Sequence, residues 1–175
     1  MNWVAVDEVD STNHLCRSYA EDGAPHGTVV LARSQRAGRG RLGRQWWAQP
    51  GEAVLMSVLI RRTLPSARVP LLTLGAAVAV AEAVPGLLIK WPNDLLSPDG
   101  RKVCGILAEA EFESGHLDFA IVGIGLNVHG APDLPHATSL DAALPQHGHQ
   151  IDDLASQIRQ RLLVIASSRW TRKGC

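Results

Sequence analysis

Between Gly23 and Gly51 the chain carries no aspartate or glutamate, while arginines stand at positions 33, 36, 39, 41 and 44 and glycines at 38, 40 and 43. Like charges this dense resist burial and repel one another unless an anion faces them. The glycines, and the run Trp46-Trp47-Ala48-Gln49-Pro50-Gly51 that follows, deny the segment a helix. On either side lie Gly27–Arg33 and Ala53–Arg62, rich in Val, Leu and Ile and bounded by turn residues, which predict strands. Any fold of this chain must therefore suspend an arginine-rich loop between two apolar strands, where something negatively charged can reach it.

In letters, Gly38-x-Gly40-x-x-Gly43 matches the dinucleotide fingerprint, but its context does not. A Rossmann turn opens a helix onto which the pyrophosphate docks, and a ribose-binding acid follows about 20 residues on. Neither is present, and no Gly-Lys-Ser/Thr closes the run as a P-loop requires.

Elsewhere, alternation predicts a strand at Trp3–Val9, and Asp10-Ser11-Thr12-Asn13 supplies N-cap chemistry for a helix to about Asp22, stopped by Gly23. Pro70–Val84 reads as an alanine-rich buried helix, and Leu87–Trp91 as a short strand. Asp99-Gly100 turns the chain into a strand at Lys102–Phe112, and Glu113-Ser114-Gly115-His116 turns it again into Leu117–Val128. Within Lys102–Phe112 the apolar side chains alternate with Glu109 and Glu111, as expected of a sheet with one wet face. Leu154, Ile158, Leu162 and Ile165 mark a closing helix. Hairpins with interspersed helices predict an α+β fold, with a mixed, largely antiparallel sheet and helices packed on one side. A length of 175 residues without repeats or linkers predicts one domain, 1–175.

The net charge is zero, so polyanion binding must come from local patches. Cys16, Cys104 and Cys175 have no metal or redox spacing, and with no signal peptide they predict reduced thiols and a cytoplasmic protein. The longest apolar run, Val78–Val84, contains Glu82 and is far shorter than the roughly 20 residues of a membrane span, so no membrane role is expected.

Two polar clusters interrupt strand ends, Lys90-Trp91-Pro92-Asn93-Asp94 and Arg101-Lys102-Val103-Cys104-Gly105-Ile106-Leu107. The chain has three lysines against fourteen arginines, and two of the three lie here, which suggests a need for compact point charges. Together with Asp10-Ser11-Thr12-Asn13, Gln35-Arg36-Ala37-Gly38-Arg39-Gly40-Arg41-Leu42-Gly43-Arg44-Gln45-Trp46 and Gly123-Ile124-Gly125-Leu126-Asn127-Val128, these clusters make the chain resemble the biotin–protein ligase catalytic domain, in order and over nearly its whole length.

The resemblance implies the biotin–lipoate ligase catalytic fold, similar to that of class II aminoacyl-tRNA synthetases. It also implies a two-step acyl transfer: biotin and Mg²⁺-ATP give biotinyl-5′-AMP and pyrophosphate, then a lysine of a biotin carboxyl carrier protein attacks the mixed anhydride. By resemblance, Ser11, Thr12, Asn13, Gln35, Gly38, Arg39, Gly40, Arg41, Lys102 and Gly105 would bind biotin. Arg41, Arg44, Trp46, Asn93, Lys102 and Asn127 would bind ATP, with Trp46 packing on adenine and Asn127 reading its edge. Lys102 is the expected main catalytic group, with Arg41 beside it, stabilising charge as the acyl–phosphate bond forms. Asp94 is the best available Mg²⁺ contact, with a structural Asx turn as the alternative.

Relatives can carry a helix-turn-helix before this domain and a β-barrel after it; the expectation here is neither, and so a monofunctional enzyme without specific DNA binding. A second copy of the chain stays open as a partner. Three rival readings remain: a lipoate-type acyl ligase on the same fold, a non-catalytic sensor of biotin or biotinyl-AMP, and a single-stranded nucleic-acid binder using the arginines with Trp46 and Trp47.

Overall fold

Val29 and Val30 are neighbours on one strand, yet both are fully buried, and in different hydrophobic clusters. Successive strand residues point to opposite faces, so the sheet is covered on both sides. The structure, a computed structural model, describes residues 2–62, 64–114, 116–145 and 148–167. Its elements in chain order are β1 (Trp3–Val9), α1 (Thr12–Glu21), β2 (Val29–Gln35), β3 (Ala53–Ile60), α2 (Leu71–Ala83), β4 (Leu88–Lys90), β5 (Asp94–Leu96), β6 (Lys102–Glu113), β7 (His116–Asn127), α3 (Leu140–Ala143) and α4 (Ile151–Ser167). The strands form one seven-stranded sheet in the order β1-β2-β3-β7-β6-β5-β4. Only β1 and β2 pair in parallel, joined by α1; the other pairings are antiparallel.

The α+β class and the mixed, largely antiparallel sheet hold, but the helices do not all lie on one side. Helices α2 and α4 cover the face presented by Val29, Val54, Met56 and Val58, with Ala76, Ala77, Val80, Ile158 and Leu162 fully buried between. Helix α1 covers the other face, where Cys16 and Ala20 meet Val30, Leu59, Phe119 and Ile121. The glutamates of β6 drove the one-sided expectation. Their face is not simply wet: Glu111 pairs with Arg17 of α1, and Glu109 receives the Asn13 amide. Each fully buried leucine or isoleucine of these layers contributes about 1.5–3 kcal/mol relative to exposure.

Strand β3 shows no alternation because every one of its residues is buried. Two short elements escape a periodicity reading, β5 and α3. β5 spans one residue more than a single alternation and is held by pairing with β4 and β6, around a cis Trp91–Pro92 peptide in the preceding turn. The stretch Ser66–Ala83 is 18 residues long with mean hydropathy 1.3, apolar enough by composition to cross a bilayer, although no run that long was expected. Here its helix α2 packs its alanines into the core. Cys175 and Gly115 of the predicted turn lie outside the described residues.

Candidate functional site

The arginine loop folds back on itself above the sheet. Gly40 N–H donates to the Arg44 carbonyl at 2.7 Å and Trp46 N–H to the Gly38 carbonyl at 2.9 Å, with Arg39 and Gln45 bridged between them. Leu42 and Gly43 turn the tip at positive φ, 56° and 73°. Gly38 lets the two arms close, since a Cβ there would lie 2.8 Å from Gln35 Nε2 and run into the Trp46 carbonyl.

Beneath the loop is a cavity of about 210 Å³, lined from α1 by Ser11, Thr12 and Asn13, from the loop by Arg39, Gly40, Arg41, Arg44 and Trp46, and from the sheet by Gln35, Asn93, Asp94, Lys102, Gly105, Gly123 and Gly125. Its floor is a pair of register partners, Gly105 of β6 and Gly125 of β7. The Trp46 indole lies against both: a Cβ on Gly105 would stand 2.9 Å from Cζ3, and one on Gly125 would collide with Cε2. Gly123, two residues along β7, does the same for the Asn13 carboxamide. Alternation explains the spacing, because Ile124 and Leu126 between them face the core.

One end of the cavity is neutral. Gln35 Oε1 accepts from Thr12 N–H at 2.8 Å and from the Thr12 hydroxyl at 3.0 Å, which leaves Nε2 as the donor it can offer a ligand. Ser11 occupies the N-cap position of α1, but its hydroxyl makes no cap bond; Gln35 satisfies the helix terminus from another strand instead. Asn13 donates to Glu109 Oε2 at 2.8 Å and lies 2.6 Å from the Ser57 hydroxyl, which is itself 2.8 Å from Thr12 Oγ1.

The other end is cationic. Lys102 Nζ lies 2.7 Å from Asp94 Oδ1 and 5.6 Å from the Trp46 ring centroid. Arg41 donates to Asn93 Oδ1 at 3.0 Å, and Arg39 lies 3.6 Å from Glu109 Oε1. Asp94 Oδ1, which meets Lys102, also receives Asn93 Nδ2 at 3.3 Å. Among the described residues no three His, Cys, Asp or Glu side chains group as a metal site.

Of the predicted site residues the structure thus gathers all but two around one cavity. Gly38 shapes the loop from behind. Asn127 is on the same face of β7 as Gly123 and Gly125 but is 2% exposed, its amide donating to the Thr138 carbonyl at 3.2 Å. Its Oδ1 is buried without a hydrogen-bond partner among the described residues. Lys90 is exposed on edge strand β4, and Trp47 is 55% exposed. The two thiols among the described residues are inert: burial pushes Cys16 up to about 12 and raises Cys104 as well.

Two residues of the site went unnoticed in the sequence. Ser57 is a single hydroxyl inside the otherwise apolar Ala53–Ile60, and a lone polar group in such a strand is a signal that it has a buried partner. Glu109 read as a solvent-facing charge, and only the proximity of α1 and the loop gives it partners.

The sequence profile of the biotin/lipoate A/B protein ligase family matches residues 5–127. The bifunctional ligase/repressor BirA of Bacillus subtilis (strain 168) is 39% identical over 175 residues, covering 94% of this chain and 52% of that protein, so the chain spans about half the relative's length. The crystal structure of biotin protein ligase from Leishmania major in complex with biotin superposes with a TM-score of 0.83 at 30% identity, covering 98% of this chain and 77% of that one. Biotin protein ligase from Aquifex aeolicus in complex with biotin and ATP gives a TM-score of 0.70 at 30% identity, covering 94% and 70%.

Proposed function

We propose that this chain, which belongs to the biotin/lipoate A/B protein ligase family, activates biotin with ATP as biotinyl-5′-AMP and transfers the biotinyl group to a lysine of a biotin carboxyl carrier protein. The observation that carries the reading is the polarity of one cavity, neutral and hydrogen-bonding at the Thr12–Gln35 end and cationic at the Lys102–Arg41 end. A ureido ring offers one carbonyl acceptor and two N–H donors, which suits the Gln35 Nε2 donor and the hydroxyls of Ser11 and Thr12. The carboxylate tail then points to Arg39, Arg41 and Lys102.

Adenylation brings that carboxylate against the α-phosphate, and two unit charges 4 Å apart repel by about 4 kcal/mol at an effective dielectric of 20. Lys102, held by Asp94, and Arg41, held by Asn93, offset the repulsion from fixed positions and stabilise charge on the α-phosphate and acyl oxygens as the bond forms and pyrophosphate leaves. Arg44 adds charge for the phosphates, and the half-buried Trp46 gives the nucleotide an aromatic surface to pack on. The carrier's amine then attacks the acyl carbon and AMP departs.

Mg²⁺ belongs to this step as a phosphate-bound ion. Among the described residues Asp94 is the one carboxylate lining the cavity and is already paired with Lys102, a donor set too thin for a protein-held metal but adequate beside a nucleotide that brings its own oxygens. A demand for ATP and two buried free thiols support a cytoplasmic setting.

ATP–pyrophosphate exchange with biotin and with lipoate, run side by side, tests the reading. Exchange is expected with biotin alone. Exchange with lipoate alone would make the chain a lipoate-type ligase, and biotin binding without exchange a sensor.

A further inference from the structure

A run of hydroxyl, amide and carboxylate groups joins the two ends of the cavity from beneath, and its middle member is Ser57, fully buried on the otherwise apolar β3. On one side, Gln35 Oε1 accepts from Thr12 N–H at 2.8 Å and from the Thr12 hydroxyl at 3.0 Å. On the other, Asn13 Nδ2 donates to Glu109 Oε2 at 2.8 Å and to the Leu107 carbonyl at 3.4 Å, and Glu109 meets Arg39 at 3.6 Å. Ser57 Oγ stands between, 2.8 Å from Thr12 Oγ1 and 2.6 Å from Asn13 Oδ1. Its register partner on β7 is Gly123, where a Cβ would collide with the Asn13 carboxamide, so the strand pairing itself makes the room in which Asn13 reaches Ser57.

The hydroxyl protons in this run have few places to go. The carboxylate and the carbonyl beside Asn13 Nδ2 can only accept, which fixes the carboxamide with Oδ1 toward Ser57. Oδ1 can only accept as well, so it draws the Ser57 proton and leaves the Ser57 oxygen with lone pairs toward Thr12. The Thr12 hydroxyl then has a protein acceptor on either side, Ser57 and Gln35. We infer that Ser57 is a positioning residue for the neutral end of the cavity: together with Asn13 and Glu109 it keeps the Thr12 proton turned into the protein, so that Thr12 presents a lone pair to the ligand and selects a ring N–H there. That role rests on the ligase reading, in which the N–H belongs to the ureido ring of biotin. In the absence of Ser57, the inward acceptors of Thr12 reduce to Gln35 Oε1, which already takes the Thr12 N–H, and the hydroxyl can turn its proton into the cavity it lines.

With the full chain, Ser57→Ala is expected to raise Kd for biotin, and KM for biotin in pyrophosphate exchange, about tenfold, while kcat and KM for ATP stay within about twofold. Ser57→Cys keeps a side chain of similar size but only a weak donor, so it should match Ser57→Ala; parental affinity in Ser57→Cys would make the effect one of packing and overturn the inference, as would a fall in kcat with KM for biotin retained. Two cyclic carbamate analogues of biotin, each with one ring N–H replaced by oxygen, read the polarity of Thr12. The parent should bind one of them about tenfold or more weaker than biotin, and Ser57→Ala should weaken that one little further, because the acceptor it loses has no N–H to meet. An equal penalty on biotin and on both carbamates would show that Ser57 does not set the direction of the Thr12 proton. Ser57→Cys carries the same ligand comparisons if Ser57→Ala does not fold. Solvent exchange of the Asn13 side-chain amide, followed by NMR without ligand, reads the run whether or not the chain is a ligase: Ser57→Ala should speed it about tenfold, the loss of roughly one hydrogen bond, and unchanged exchange would sink the proposal even if biotin affinity fell. A parent chain that neither binds biotin nor exchanges pyrophosphate, with Asn13 responding as described, would instead count against the ligase reading alone.

Discussion

At the scale of single residues, polar groups of the cavity engage one another and leave other donors and acceptors without a partner among the described residues. Gln35 Oε1 accepts twice from Thr12 and its amide hydrogens stay available; Asp94 Oδ1 meets Lys102. Lys102→Ala is expected to leave biotin binding nearly intact and to slow adenylation about 10²–10³-fold, the usual cost of one transition-state donor. Calorimetry with biotin beside exchange kinetics decides it, and parallel loss of binding and rate would make Lys102 a ground-state contact. Gly125→Ala belongs to the same scale. Its methyl group would collide with the Trp46 indole, and backbone on one side and a loop on the other leave little room to yield. Biotin affinity should fall about tenfold or more, given the roughly 1–3 kcal/mol cost of overpacking, together with a change in Trp46 fluorescence. Unaltered affinity and emission would show that the loop rides above the floor without touching it.

Among the elements, the turn from β5 into β6 matters most because it delivers Lys102. Asp99 accepts from the Ser97 hydroxyl and pairs with Arg101 at 2.7 Å, and these partners, Arg101 first, hold its carboxyl down at about 2. A carboxylate whose folded value is depressed contributes stability that is present above its unfolded value of about 3.9 and is lost as pH falls through the folded one. The stability difference between the parent and Asp99→Asn should therefore be level at neutral pH and shrink between about pH 4 and pH 2, as followed by chemical denaturation across that range. A difference that holds its size down to pH 2 would mean that Asp99 acts through shape and not through charge. Helix α1 and the arginine loop are the other deciding elements. Both were expected from caps, glycines and charge, but their meeting over one face of the sheet was not, since alternation on β6 reports which residues share a face and not what covers it.

For the whole molecule, the arginine loop is a local field on a chain of zero net charge. Several loop arginines already have protein partners: Arg36 pairs with Asp10 at 2.8 Å, Arg39 with Glu109 and Arg41 with Asn93. These 175 residues are accordingly expected to retain duplex DNA weakly, without sequence preference and only at low salt. Filter retention of operator and scrambled duplexes, with and without biotinyl-AMP, checks this; sequence-specific retention enhanced by the ligand would move the sensor reading to first place.

What residues alone determined was the set of parts. Alternation marked β1 and β6, turn residues set off β7, an alanine-rich apolar run marked α2 and apolar periodicity α4, and the arginine–glycine run, the Lys90–Asp94 and Arg101–Leu107 clusters and the glycines of β7 marked the site, because each of these signals is local and survives as a pattern along the chain. What tertiary structure decided was which parts touch. The seven-strand order, the covering of both faces, the partnership of Ser57 and Glu109 with α1, and the bond from the Asn127 amide to the Thr138 carbonyl all join residues apart in the chain. Such contacts depend on which burial and hydrogen-bond pairings win across the whole sheet, and a buried hydroxyl or amide has no local period by which to announce its partner.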